Sequence, residues 1–335
     1  MTRALAPTAA LLVALAIGSV LVLAYGQSPA HVWVMMLRGT WGLAYGFGQV
    51  LFKTTPLALT GLAVALALRA GLFNIGAEGQ MLTGAFVAAV VGAHVGGWPA
   101  ALAMSFCVAA AAAAGAAWAS IAGVLKARFG AHEVITTIML NFIAVALLNW
   151  IGTRWLYLRE TQHTTDVALA ARWPRLAALL PALHGSAANT IFFVALGACA
   201  AGAWLLFRTR LGYEIRALGL APAAAETAHI SIARTTVAAL ALSGAAAGLA
   251  GANFALGYKY YYEEGFGGGV GYMGIAVAVL ARNHPLWVVP AALLFGTLSQ
   301  GGLVVNFLVP KEIVDVLMAV VILSVAIASR QRVRA

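Results

Sequence analysis

The residues best suited to binding a small molecule lie in one short stretch, Gly71–Ala85. It reads GLFNIGAEGQMLTGA and places Asn74, Glu78 and Gln80 among glycines in an otherwise apolar region. Glycines at this density indicate a broken helix, which membrane depth tolerates only where protein or a water-filled cavity covers the freed backbone groups. The alternative is a tight cytoplasmic turn between two spans, which needs the glycines but not this polar context.

A second group of polar residues lies in His132–Trp150. Glu133, Thr136, Thr137 and Asn141 share one side of a helix there, and polar groups within a span are expected to face the bundle interior. Glu133 at the helix start has a structural explanation, because a carboxylate there favours the helix dipole. The candidate residues for a translocation path are Phe73, Asn74, Glu78, Gln80 and Asn141.

The chain shows no pattern typical of an enzyme or a metal site. Its seven histidines are scattered without metal-ligand spacing, and Cys107 and Cys199 both lie in apolar runs. A phosphate-binding loop needs Gly-Lys-Ser or Gly-Lys-Thr, and no Gly-Lys dipeptide occurs. We therefore expect no catalytic residue, no metal ligand and no cofactor-binding residue in this chain.

Composition indicates a membrane protein with many spans. Of 335 residues, 63% are apolar and 9% charged, whereas about 25% of a soluble domain is charged. The formal net charge is +10, but basic residues gather at the ends of apolar runs, as at Arg69, Lys126 and Arg282. This follows the positive-inside rule and is not a nucleic-acid footprint. We expect an all-α polytopic protein of the cell inner membrane, surrounded by lipid and with no nucleic-acid partner.

The hydropathy pattern predicts about ten transmembrane helices, some of them broken, with both termini cytoplasmic. The predicted spans are Ala9–Ala24, Thr55–Leu68, Gln80–Val95, Gly97–Leu125, His132–Trp150, Asn189–Phe207, Thr235–Leu256, Ile275–Ala281, Pro285–Leu303 and Glu312–Ser329. His31–Thr54 is aromatic and weakly amphipathic, which suits the outer interface, and its entry into the bilayer is left open. Residues 153–188 form the longest outer loop and are a candidate contact for an extracytoplasmic partner. Residues 1–335 are interpreted as a single transmembrane domain.

Residues 208–234 form a long polar interruption with helix signals of its own. Arginines next to the flanking apolar runs predict that this loop faces the cytoplasm. Gly219 is expected to break the chain, and Pro222 to begin a short helix, Pro222–Ile230, outside the membrane. Its small face is expected to comprise Ala221, Ala224, Ala225 and Ala228. The alternative is an ordinary connecting loop with an Ala-rich turn.

Two glycine blocks, Gly71–Gly84 and Gly265–Gly274, fall at the start of an outward and an inward predicted span respectively. Opposed directions are what inverted repeats produce, so we expect such repeats. Gly244 and Gly248 form a G-x-x-x-G pattern, for which close helix packing is the expected role.

Four stretches resemble a known family. GLFNIGAEGQ is similar to its G-L-F-N-I-G-x-E-G-Q signature, HEVITTIMLNFIA to E-V-I-x-T-x-M-L-N-Y, and GYMGIAVAVLARNHP to G-x-x-G-I-A-V-A-L-L-G-x-x-x-P. GYEIRALGLAPAAAETAHI resembles its cytoplasmic coupling loop. The family comprises permeases of ATP-binding-cassette (ABC) importers, in the branch that moves nucleosides, simple sugars and branched-chain amino acids. The resemblance covers about Thr55 to Pro290.

Three of the chain's departures from these patterns replace a glycine or a helix-capping Asn. Ala221 stands where the family usually has Asn, His229 where it has Gly, and Ala281 where it has Gly. The first two changes remove an N-cap and a helix-ending glycine from the coupling loop.

The resemblance implies a permease subunit that moves a nucleoside or simple sugar by alternating access and does not hydrolyse ATP itself. It implies ATPase subunits docked inside, a second permease subunit forming a homodimer or heterodimer, and a substrate-binding protein outside. By this resemblance the ATPase contact would comprise Arg216, Gly219, Pro222, Ala224, Ala225 and Ile230.

Three other functions are weighed against this one. The first is an ABC permease for branched-chain amino acids. The second is an ion-coupled secondary transporter, which normally needs intramembrane carboxylates. Only Glu78, Glu133, Glu312 and Asp315 come near the predicted spans, all close to span ends. The third is a lipid-modifying membrane enzyme, for which no set of His and acidic residues falls at one membrane depth.

Overall fold

The computed structural model describes residues 2–330, and within them the chain forms thirteen α-helices and no β-strand. The helices are α1 Thr2–Ala24, α2 Pro29–Thr40, α3 Ala44–Arg69, α4 Ala77–His94, α5 Ala100–Phe129, α6 Glu133–Ile151, α7 Ile191–Arg208, α8 Arg210–Leu220, α9 Pro222–Thr227, α10 Ile232–Ala255, α11 Val270–Leu280, α12 Pro285–Val305 and α13 Lys311–Arg330. A π-helical turn, Gly152–Leu156, follows α6. The predicted all-α, polytopic class is confirmed.

Helix α3 is longer than the sequence predicts. It begins at Ala44 and has 26 residues, or about 39 Å. The predicted span Thr55–Leu68 is therefore wrong at its outer end, and residues 44–54 belong to α3 and not to an interfacial segment. Helix α2 does not continue the direction of α1, because the chain bends by 117° between the end of α1 and α2. Gly26, with a φ of +81°, lies in this bend.

By length and composition, fewer than ten helices within the described residues qualify as full spans. Between residues 2 and 330, six helices are long and apolar enough to cross a membrane, or seven if α1 and α2 together make one span. The six are α3, α5, α6 with its π-helical turn, α7, α10 and α12. The predicted span Ile275–Ala281 is wrong as a crossing, because α11 has 11 residues. That length covers about 16 Å of a hydrocarbon core of about 30 Å.

Small residues let the central helices approach closely. A Cβ built on Gly84 of α4 would lie 2.5 Å from the Cα of Gly248 in α10, and one built on Gly115 of α5 would lie 2.8 Å from the same atom. No side chain fits at these distances, so the three backbones touch. The predicted packing role of Gly248 is confirmed.

Residues that are expected on the same side of the membrane lie together at one end of the helix bundle. At one end, the Nε of Arg69 donates to the carbonyl oxygen of Asn283 at 2.7 Å. At the other end, loop 153–188 packs on the α10–α11 connection, where the N–H of Thr164 donates to the carbonyl oxygen of Tyr262 at 2.9 Å. Because contacts hold each group together, the loops of one side are structurally coupled to one another.

Candidate functional site

Asn74 organises the break between α3 and α4. Its side chain is fully buried, and its Nδ2 donates to Oε1 of Gln80 at 2.9 Å and to Oγ of Ser243 at 2.8 Å. Its Oδ1 accepts from the N–H of Gly76 at 2.9 Å and from Nε2 of Gln80 at 3.1 Å. Ser243 in turn donates to the carbonyl oxygen of Ala63 at 2.6 Å. The amide thus uses both donors and both acceptor positions, and it ties the break to α3 and α10.

Asn141 from α6 supports the same break from the other side. Its Oδ1 accepts from the N–H of Gly79 at 2.9 Å, and its Nδ2 donates to the carbonyl oxygen of Ile75 at 2.9 Å. Nδ2 also donates to the hydroxyl oxygen of Tyr272 at 3.2 Å. The side chain is 3% exposed. An amide side chain therefore supplies partners to backbone groups that the interrupted helix leaves unpaired.

Glu78 joins the two glycine blocks. Its carboxylate accepts from the N–H of Gly269 at 3.2 Å and from the N–H of Gly271 at 2.6 Å. These N–H groups belong to the first turn of α11, where a negative charge is favoured by the helix dipole. Because Glu78 itself lies in the first turn of α4, one carboxylate connects the beginnings of two helices.

The structure places four of the five predicted path residues, Asn74, Glu78, Gln80 and Asn141, around the same break, where each is buried and hydrogen-bonded. Phe73 is adjacent and half-buried. Ser243 is missing from the candidate residues of the sequence analysis. Its position directly before Gly244 of the G-x-x-x-G pattern was the available signal.

The coupling loop contains two helices, and Gly219 does not separate them. Gly219 lies inside α8, and the interruption falls at Ala221, so the expected break at Gly219 is wrong. Helix α9 ends at Thr227, short of the predicted end at Ile230. His229 takes a left-handed φ of +60°, the conformation that glycine adopts most readily. The helix-ending geometry is therefore present although the glycine typical of related loops is missing.

The predicted small face of the coupling helix is wrong at one position. Ala225 is 3% exposed within this chain, so its side chain is not available to a partner. Ala221, Pro222, Ala224 and Ala228 are exposed, and Leu220 is 88% exposed. Leu220, Ala221, Pro222, Ala224 and Ala228 are therefore among the surface residues available to a partner at this point of the loop.

Helix α8 lies directly against the break between α3 and α4. A Cβ on Gly219 would overlap the carbonyl oxygen of Arg69 and lie 2.8 Å from the backbone nitrogen of Gly71. Gly71 has a φ of +72°, and a Cβ there would lie 3.2 Å from the Cα of Gly219. Both positions need glycine because the two backbones touch, and Gly71 also because of its left-handed conformation.

Charged and aromatic groups surround this contact. The guanidinium groups of Arg69 and Arg216 lie 5.6 Å and 5.5 Å from the ring centre of Phe207, within the range of cation–π attraction. The His284 ring stacks on Phe207 at 5.1 Å. Burial lowers the pKa of His284, and the charge of Arg69 lowers it further. The positive charge of Arg69 thus disfavours protonation of His284.

Comparison with known proteins identifies the family. Residues 46–326 match the family model described as branched-chain amino acid transport system, permease component. The guanosine ABC transporter permease protein NupP of Bacillus subtilis is 38% identical over 97% of this chain and 94% of its own length. The nucleoside ABC transporter permease protein NupB of Lactococcus lactis is 32% identical over 97% and 91% respectively.

A glucose ABC transporter permease protein of Haloferax volcanii, TsgB13, is 34% identical over 95% of this chain and 85% of its own length. No solved structure matches the chain. The family model covers most of the sequence, including the break, the buried polar residues around it and the coupling loop. The chain is therefore a multi-pass membrane protein that belongs to the family of ABC transporter permease components.

Proposed function

We propose that this chain is the membrane-spanning subunit of an ATP-driven importer and moves a nucleoside or simple sugar inward by alternating access. ATP is hydrolysed by separate ATPase subunits, and the permease switches between outward and inward openings as they close and open. The relatives named for guanosine, nucleosides and glucose support this substrate range, since each aligns with at least 95% of the chain.

The contact of α8 with the α3–α4 break carries the proposal. A loop outside the membrane touches the backbone of the broken-helix segment at Gly219 and Gly71. That segment continues into the network of Asn74 and then to Glu78 and α11. Force applied to the coupling loop by an ATPase therefore reaches the broken helices through direct contacts.

The buried polar groups favour a neutral solute over an ion or an amino acid. Among the side chains that the structure describes, Glu78 is the only buried carboxylate, and both of its oxygens accept backbone hydrogen bonds. An ion-coupled transporter normally needs an intramembrane carboxylate that exchanges its ion, and a zwitterionic amino acid would find no other buried charged side chain among the described residues. If Glu78 served either alternative, its carboxylate would have to give up its hydrogen bonds to Gly269 and Gly271 at the start of α11.

Uptake measurements in cells test the proposed function. Cells that express the permease with its partner subunits should take up labelled guanosine or glucose. Depletion of ATP should stop uptake. An ionophore that dissipates ion gradients should leave uptake unchanged while the ATP concentration is held constant. Uptake that follows the ion gradient at constant ATP would instead establish the secondary transporter.

We further propose the arrangement of the whole chain, 1–335, as one permease domain in the inner membrane. Loop 208–234 faces the cytoplasm, where α9 and the exposed Leu220 dock on the ATPase. Loop 153–188 faces the substrate-binding protein outside, and a second permease subunit completes the pathway. Both termini are cytoplasmic. Arg332 and Arg334 of the basic tail lie outside the described residues.

Single-cysteine labelling checks this orientation. In a variant lacking native cysteines, a cysteine replacing exposed His184 in loop 153–188 should react with a membrane-impermeant maleimide added to intact cells. A cysteine replacing half-buried Arg216 should react only after the cells are opened. The reverse pattern would overturn the assigned sides.

A further inference from the structure

A continuous series of aromatic rings lies at the end of the bundle that carries loop 153–188. Phe52 of α3 lies 4.8 Å from Tyr258 and 6.0 Å from Phe254 of α10, measured between ring centres. Phe254 lies 5.5 Å from Phe266, and Phe266 stacks on Tyr262 at 5.7 Å with an interplanar angle of 15°. These five rings, called here the aromatic series, come from α3, α10 and the connection to α11.

Phe52 and Phe254 of the aromatic series are more enclosed than the exposed aromatic side chains of the bundle surface, whereas Tyr258 is 37% exposed. Residues of a lipid-facing aromatic belt are exposed on the bundle surface, and Trp98, Trp150 and Trp204 are examples, at 46%, 57% and 64% exposed. Phe52 and Phe254 are half-buried and lie on α3 and α10, the two most enclosed of the long apolar helices. Residues one turn further along the same helix faces, such as Thr55 and Ala250, are buried. Phe52 and Phe254 are thus partly exposed where the neighbouring turns of their own helices are buried.

A glycine loop that contains Phe266 borders the aromatic series. Gly265, Gly268 and Gly269 have φ values of +79°, +54° and +83°, and a Cβ on any of them would meet nothing within 4 Å. The loop is held from below by Glu78, which accepts from the N–H of Gly269. Phe266 of the aromatic series lies between these glycines and contacts Phe254. Open space thus borders both the loop and the exposed ring edges.

We propose that the aromatic series binds the base of a nucleoside as it enters the permease from outside. This rests on the proposed function and narrows it from nucleosides or sugars to nucleosides. Every nucleobase has a flat π-face, and stacking on aromatic side chains tolerates differences between bases. A permease that handles several nucleosides therefore gains affinity from rings and does not need a fixed pattern of hydrogen bonds. Ribose then lies toward the open glycine loop.

Photo-crosslinking locates the base directly. The assembled transporter is illuminated with radiolabelled 8-azidoadenosine, and the labelled peptides are identified by mass spectrometry with unlabelled guanosine as competitor. We expect competed label at Phe52, Phe254 or Phe266 and their neighbours. Competed label confined to other segments would overturn the proposal, although uptake of nucleosides by the same sample would leave the proposed function intact.

Ring-removal variants supply a second readout. Phe254→Leu should lower the uptake of nucleosides about fivefold or more, which is the loss expected for one stacking ring. Phe254→Tyr should restore it, because the ring returns. Phe142→Leu is the matched control, since Phe142 of α6 is 64% exposed on the bundle surface.

Uptake of nucleosides and of glucose, measured separately, distinguishes failure of this inference from failure of the proposed function. Equal nucleoside uptake by the wild type, Phe254→Leu and Phe142→Leu at equal expression would contradict the role of the rings. A wild type that imports glucose and no nucleoside would overturn this inference and leave the proposed function standing. A wild type that imports neither would overturn both.

Discussion

Replacing Gly219 with valine is expected to leave the permease in the membrane and to abolish the coupling of ATP hydrolysis to uptake. A Cβ at this position overlaps the carbonyl oxygen of Arg69 and lies 2.8 Å from the nitrogen of Gly71. Both are backbone atoms, so α8 must move away from the α3–α4 break. Overpacking of this kind costs about 1–3 kcal/mol, and we expect transport to fall about tenfold or more.

Two control variants make this result specific. Gly197→Val changes a glycine of α7 whose Cβ would meet nothing within 4 Å, and it should transport normally. Ala224→Glu adds a charge to an exposed position of the coupling loop that we propose docks on the ATPase. The ATPase should therefore no longer co-purify with this variant. Gly219→Val should still co-purify with the ATPase, which should hydrolyse ATP without transport. Normal uptake by Gly219→Val at equal expression would show that α8 transmits nothing through this contact.

Asn74→Leu is expected to lower uptake strongly and to lower the thermal stability of the purified permease, while membrane insertion is retained. The change removes all four hydrogen bonds of the amide, including the one from the N–H of Gly76. Each buried polar group left unpaired costs about 1–3 kcal/mol. The affected groups lie in the segment between α8 and Glu78, so the loss reaches the broken helices directly.

Melting curves in detergent and initial uptake rates measure the two effects. Asn306→Leu is the control, because Asn306 is an exposed asparagine at the end of α12. If Asn74→Leu transports like Asn306→Leu, the segment is a plain turn and the translocation path does not depend on it.

The sequence located the polar site but not its partners. The glycines and Asn74 predict the broken helix because helix propensity and buried polarity act locally. The partners of these groups are distant along the chain: Glu78 and Gly271 are separated by 193 residues, and Asn74 and Ser243 by 169. No periodicity within a single segment contains such pairings, since they are set by how α4, α10 and α11 pack.

Short helices were the other source of error. Helix α9 has six residues, too few for a repeating apolar pattern to show which alanine faces inward, and so Ala225 was placed on the wrong side. Helix α11 is uniformly apolar, which made it look like a crossing although it is short. At α3, the aromatic, weakly amphipathic pattern of His31–Thr54 suggested an interface, yet Lys53 in this stretch donates to the hydroxyl oxygen of Ser299 in α12 at 3.1 Å.

ATP-driven import is measured most directly in proteoliposomes that contain the purified permease, its ATPase and its binding protein. Labelled guanosine should accumulate only when ATP is present on the ATPase side, and neither a proton nor a sodium gradient should replace ATP. The Gly219→Val permease in the same vesicles should hydrolyse ATP without accumulating guanosine. Accumulation driven by an ion gradient in the absence of ATP would contradict the assignment of this chain as an ATP-coupled permease.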